Sequence, residues 1–276
     1  MKHSIVLSVQ PSAFRAATFK GDLERNLSRI AGLGYDGVEL AIRDPNPQEA
    51  DALFAAVERY GLELPAIGTG QAWGEDGISF THPDPAVRRE AVARIGRHMP
   101  LAARAGAFIV LGLIRGVVQD GVDRRRARDW MVESLERCCE EATARGVRFV
   151  LEPIHARETT FVHTVAEACA LADRLDTACL GLLADTYHMH HEETSVAGGL
   201  RAAGPRLLHV HVADSNRHHP GAGSLDFAAI LGLLDELGYR GYVSGEFLPE
   251  PDSETAARKA IEHLKRVYRA QERHET

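Results

Sequence analysis

Short apolar runs recur along the chain, and each is followed by a helix-length stretch whose apolar positions return every three or four residues. The spacing predicts strands over residues 5–9, 37–42, 62–67, 107–111, 147–151, 179–184, 207–212 and 241–245. Helices are predicted over 22–33, 48–60, 86–105, 122–144, 164–175, 192–203, 225–237 and 253–268. Gly34 and Gly238 act as helix stops, and Thr164 with Glu167 three residues on forms a capping pattern. Strands alternating with helices imply a parallel sheet. Eight such units in 276 residues fit a single (β/α)8 TIM barrel, a fold of about 250 residues. An open doubly wound sheet would want a glycine-rich dinucleotide fingerprint after its first strand, and none follows residue 9. No linker or low-complexity segment interrupts the alternation, so residues 1–276 read as one domain.

The seventh predicted strand is broken by His209 and His211, and a polar cluster, Asp214-Ser-Asn-Arg217, follows it. Strand period two puts both imidazoles on one face. In this fold catalytic groups sit at the C-terminal ends of strands. Those positions in the second half hold Glu152, Asp185, His211 and Glu246, on four successive strands. Three carboxylates at one buried mouth would repel one another and desolvate at high cost unless a cation joined them. The donors are mostly oxygen, with one nitrogen and no thiolate. That set suits one divalent six-coordinate ion, Mn2+ first, with Co2+ and Mg2+ as alternatives. Zn2+ sites ordinarily use more His or Cys. His209, one pleat below, either touches the site through another side chain or is a satisfied core histidine. Arg43 and Arg115 end the second and fourth strands, where a guanidinium could meet a substrate carboxylate.

Charge and composition remove other classes. A net charge of −7 argues against nucleic acid as a partner. No apolar run approaches the length of a membrane span, and Met1-Lys2-His3 leads directly into the first strand without a leader, so a cytoplasmic enzyme is expected. Cys138, Cys139, Cys169 and Cys179 form no metal-type pair and are expected as reduced thiols. The long polar segment 71–84 holds Trp73 and Phe80, expected as a lid over substrate. His190, His191, His218 and His219 read as solvated loop residues, and Arg124-Arg-Arg126 as a solvated helix start.

Several runs carry a resemblance. Leu151-Glu-Pro-Ile154, Leu183-Ala-Asp-Thr-Tyr-His188, His209-Val-His-Val-Ala-Asp-Ser-Asn-Arg217, Pro220-Gly-Ala-Gly223 and Val243-Ser-Gly-Glu246 resemble the xylose-isomerase-like sugar isomerase/epimerase superfamily, and within it the ketose 3-epimerases. Ala17–Asp22, Ala41–Pro45, Ala66–Ala72, Ser79–Pro83 and Gly112–Gly116 are similar to the 5-keto-L-gluconate epimerase type. The resemblance implies one divalent ion on Glu152, Asp185, His211 and Glu246. It implies proton transfer by Glu152 and Glu246 through a metal-stabilised cis-enediolate, with the ketose held by Glu158, His188 and Arg217. It further implies a small keto-sugar or keto-sugar acid as substrate (5-keto-L-gluconate to D-tagaturonate) and a homodimer or homotetramer. The run His155-Ala156-Arg157 departs from the family pattern, beside Glu158. Alternatives are C3 epimerisation of neutral ketohexoses, aldose–ketose isomerisation and inosose dehydration on the same scaffold. A sugar-binding protein without catalysis would need no carboxylate pair. An apurinic endonuclease of the superfamily needs histidines at early strand ends, where this chain has Gly68-Thr69-Gly70 and Gly112-Leu113.

Overall fold

The computed structural model describes residues 1–272. Eight parallel strands close a barrel: Lys2–Ser8, Glu39–Ala41, Ala66–Gly68, Phe108–Leu111, Arg148–Leu151, Leu180–Asp185, Leu207–Val212 and Tyr242–Gly245. Each pairs with the next, and the last pairs with the first, His3 facing Val243 and Ser4 facing Ser244. A two-residue strand, Phe19–Lys20, adds to the first. The expected α/β barrel is therefore the fold observed.

Both faces of a parallel barrel are covered, so its strands are apolar almost throughout. Alternate residues such as Ile5, Leu7, Leu40, Ile109, Leu111 and Phe149 pack outward under the helices in the main core. The other set points inward, where Ala66, Val110, Val150 and Leu183 form a smaller cluster. Beside that cluster the interior is polar: Ser4, Glu39, His209, His211 and Ser244 are all buried. The surrounding helices start where a short acceptor is available. Asp84, Asp123, Thr164 and Asp226 each cap a helix by accepting from a backbone N–H in its first turn.

Three expectations shift. The third strand runs Ala66–Gly68 rather than 62–67. Pro65 has no N–H for a ladder, so Leu62 and Leu64 join the core ahead of the strand. The segment 71–84 is not a free lid. Residues Gln71–Asp76 form a short helix, and Phe80 is fully buried with its N–H bonded to the Ile114 carbonyl. The helix expected over 192–203 is two helices, Thr186–Glu192 and Val196–Ala203, because Asp185 caps a new helix at once. His190 and His191 lie on the first of these, exposed but not in a loop.

The two arginines proposed as anion receptors are committed elsewhere, which corrects that expectation. Arg115 is completely buried. Its Nη1 donates to the carbonyls of Leu111, at 2.7 Å, and Glu152, at 2.6 Å, and so ties the ends of the fourth and fifth strands. Burial lowers its pKa to about 10. Arg43 points to the rim, where Asp76 accepts from its guanidinium and Asp76 is also bonded by Arg94. Neither lines the cavity described below. Arg115→Met should cost about 2–4 kcal/mol in urea unfolding, because two buried carbonyls lose their donor. Arg43→Ala should leave the urea unfolding curve close to that of wild type, as for a partly exposed ion pair. Equal effects from the two changes would refute this division of roles.

Candidate active site

A cavity of about 280 Å3 opens at the C-terminal mouth of the barrel. Its floor is built by four successive strand ends. Glu152, Asp185, His211 and Glu246 each offer an atom within 4.8 Å of the others. His211 Nδ1 stands 3.6 Å from Glu152 Oε1 and 3.9 Å from both Asp185 Oδ2 and Glu246 Oε1. Gly112 leaves the room this needs, since a Cβ there would lie 2.5 Å from Glu152 Oε2. Asp185 divides its two oxygens. Oδ1 caps the helix Thr186–Glu192, accepting from the N–H groups of Tyr187 and His188, and Oδ2 is turned to His211 Nδ1.

The donor chemistry of this cluster is unbalanced. Glu152 Oε1 and His211 Nδ1 are shut away from solvent and have no hydrogen-bond partner. Buried polar atoms are almost always paired. Burial, with the charge of Glu152, raises Asp185 to about 6. Glu246 is raised to about 8 by burial and by Glu152 and Asp185. Against burial, which would lower it, the carboxylates of Glu39, Glu246 and Glu152 raise His211 well above the ordinary imidazole value. These are the marks of acceptors crowded round a missing positive charge. A divalent ion about 2.0–2.2 Å from each ligand spaces neighbouring ligand atoms about 3–4 Å apart, which is the spacing found here. The four residues fit such an ion.

Beneath them lies a residue that the sequence reading passed over. Glu39, in the second strand, is buried inside the barrel and lines the cavity floor. Its Oε2 accepts from His209 Nε2 at 2.9 Å, His211 Nε2 at 3.0 Å and Ser244 Oγ at 3.0 Å, and its Oε1 lies 3.1 Å from His211 Nε2. His209 thus reaches the site through Glu39. The sequence signal for Glu39 was a lone carboxylate in an otherwise apolar strand, a placement that needs a buried partner.

The wall carries the remaining expected residues. Arg217 takes a left-handed backbone, φ 62°, held by bonds from its N–H to the Asp214 carbonyl and from the Leu248 N–H to its own carbonyl. The Asp214 carboxylate fixes this loop, accepting from the N–H groups of Ser215, Gly221 and Leu225. The Arg217 guanidinium lies over the Tyr187 ring, donates to Glu158 Oε1 at 2.6 Å and stands 3.7 Å from Glu246 Oε2. His155, from the unusual run before Glu158, is buried with Nε2 3.1 Å from Glu158 Oε1 and its ring against His188. His188 is itself buried, its Nδ1 is unpartnered, and burial lowers its pKa well below 6.5. The aromatic cover comes from the first loop rather than from Trp73 or Phe80. Phe14 lines the cavity, and Glu75 holds its loop by accepting from Ser12 Oγ and the Ala13 N–H. Among the described residues no helix is long and apolar enough to cross a membrane.

Comparison with known proteins agrees with this architecture. The chain is 28% identical over 263 residues to an L-ribulose 3-epimerase of Methylomonas sp., covering 88% of this chain and 90% of that protein. It is 28% identical over 251 residues to a D-psicose 3-epimerase of Ruminiclostridium cellulolyticum, covering 88% and 82%. A solved D-psicose 3-epimerase with D-tagatose, from Clostridium cellulolyticum, superposes with a TM-score of 0.81 at 23% identity, covering 97% of this chain and 99% of that one, and so shares the fold. The profile of one family matches residues 27–267, almost the whole barrel, and the chain belongs to that family, the xylose isomerase-like TIM barrels.

Proposed function

We propose that the protein is a divalent-metal-dependent isomerase that epimerises a ketose at C3. The observation that carries this reading is the cluster of Glu152, Asp185, His211 and Glu246, whose ligand atoms lie within 4.8 Å of one another while Glu152 Oε1 and His211 Nδ1 have no hydrogen-bond partner. The relatives support it, since those described above are named as 3-epimerases of L-ribulose and D-psicose. An ion held by the four residues would supply the positive charge that makes a proton beside a ketone removable. Glu152 and Glu246 stand on the fifth and eighth strands and reach the cavity from two sides. One removes the C3 proton, and the other returns a proton to the opposite face, which inverts the centre. His188 and Arg217 face the oxygen at which charge develops. Glu158, oriented by Arg217 and His155, accepts from a substrate hydroxyl.

The substrate is a neutral ketose rather than a keto-sugar acid. Arg217 is the guanidinium at the cavity, and it is already shared between Glu158 and Glu246. The residues lining the cavity offer a substrate carboxylate no second guanidinium, and Glu158 and Glu39 add acceptors to those of the cluster. A volume of about 280 Å3 is at the small end for ligand sites, as a monosaccharide requires.

Proton NMR in D2O tests this directly. Deuterium should enter C3 of D-tagatose, D-fructose or L-ribulose as the C3 epimer appears, and chelation of the ion should stop both. Exchange at C1 with an aldose product would make the enzyme an aldose–ketose isomerase instead. Glu152→Gln and Glu246→Gln should each lower the exchange rate at least about 1,000-fold, the scale of a lost acid–base group. Near-wild-type exchange in either variant would refute the two-base scheme. For charge selectivity, kcat/KM for the neutral ketoses should exceed that for 5-keto-L-gluconate by tenfold or more. A preference for the acid would return the argument to an anion receptor.

A further inference from the structure

Two buried clusters share His211, and their geometry differs in kind. Above the ring, Nδ1 faces three carboxylates at 3.6–3.9 Å with no hydrogen bond. Below it, Nε2 meets both oxygens of Glu39 at 3.0 and 3.1 Å, with His209 Nε2 and Ser244 Oγ at 2.9 and 3.0 Å. Glu39, His209 and His211 likewise each offer a ligand-type atom within 4.8 Å of the others. Their contacts round Glu39 are at hydrogen-bond length, however, and His209 Nδ1, its unpartnered nitrogen, is the one not turned to Glu39. The upper cluster lacks such bonds, and the lower one is joined through Glu39.

We propose that Glu39 is a positioning residue that sets the tautomer and orientation of His211, so that its Nδ1 presents a bare lone pair to the cavity. This rests on the metal reading given above. An imidazole that carries one proton can place it on either nitrogen. An ion among the carboxylates round Nδ1 can take a lone pair there only if the ring's proton sits on Nε2, where Glu39 is placed to accept it. Glu39 accepts that bond with both oxygens, which also limits rotation of the ring. Ser244, itself buried, gives Glu39 a further donor, and His209 gives a second ring N–H from one pleat below. The three supports come from the second, seventh and eighth strands, so the ring is braced from both sides of the barrel closure. Carboxylate partners of ligating histidines commonly raise metal affinity, and their removal costs about 10–100-fold.

The test uses the full chain and two readouts that do not depend on turnover. In wild-type protein loaded with Mg2+ or Zn2+, nitrogen-15 NMR of the ring should show His211 protonated at Nε2 and bare at Nδ1. A proton on Nδ1, or an Nε2 without one, overturns the proposal without any substitution. Mn2+ titration followed by electron paramagnetic resonance should give one ion per wild-type chain. Two ions per chain would overturn it by making the lower cluster a metal site. In Glu39→Leu the dissociation constant for Mn2+ should rise about 10–100-fold, and in Glu39→Gln, which keeps an acceptor, by less. An unchanged constant in a folded Glu39→Leu protein, as judged by its melting curve, would refute the role of Glu39 alone. Failure of wild-type protein to bind any ion would refute the metal reading, and this one with it.

Discussion

Three carboxylates and an imidazole are forced together at the mouth of a closed barrel, and much of the structure answers that constraint. Closure leaves the strand ends no freedom to separate, because each is hydrogen-bonded to two neighbours. Like charges brought this close in a buried setting raise one another's proton affinity, as Asp185 and Glu246 show. The cluster therefore has to be supported from below and to the side. Arg115 pins the backbone under Glu152, Asp185 is anchored by the helix that it caps, and His211 rests on Glu39. Each support is a backbone or buried side-chain bond rather than a surface ion pair, and so is shielded from solvent screening.

The same constraint separates the roles of similar residues. Arg115, Arg217 and Arg43 all lie at or near strand ends. One is a fully buried backbone tie, one faces the cavity, and one closes a surface network with Asp76 and Arg94. Position along a strand predicts that a side chain will be near the mouth. It does not predict whether nearby carbonyls or carboxylates will take its donors first. For Arg115 the deciding partners were carbonyls of Leu111 and Glu152, which no side-chain pattern announces.

The barrel was legible in the sequence because each strand is buried on both faces and so reads as a continuous apolar run. The departures have local causes. Pro65 delays the third strand, and the Asp185 cap starts a helix earlier than the apolar spacing suggested. Convergence of Glu152, Asp185, His211 and Glu246 was legible because all four fall at one phase of a repeating unit. Glu39 was not, since its meaning depends on His209 and His211, about 170 residues away. Phe14 was missed for a related reason. Nothing in its own loop marks it as a wall, and the Glu75 that holds that loop belongs to another strand–helix unit.

The division of the cavity between the two halves of the chain has an evolutionary consequence. The floor that would hold the ion comes from strands five to eight, with Arg217 and His188 beside it. The far wall, with Phe14, Gly70, Glu75 and Leu113, comes from loops of the first half. The buried ties between the two halves, among them Glu39 to His211, Arg115 to the Glu152 carbonyl and Thr18 to the Phe247 carbonyl, run from residues other than these four. Insertions or substitutions in these wall loops can thus reshape the cavity while leaving the four-residue cluster intact. Wall and cluster are heritable on separate stretches of one gene, so a descendant can acquire a new wall without first losing the old cluster.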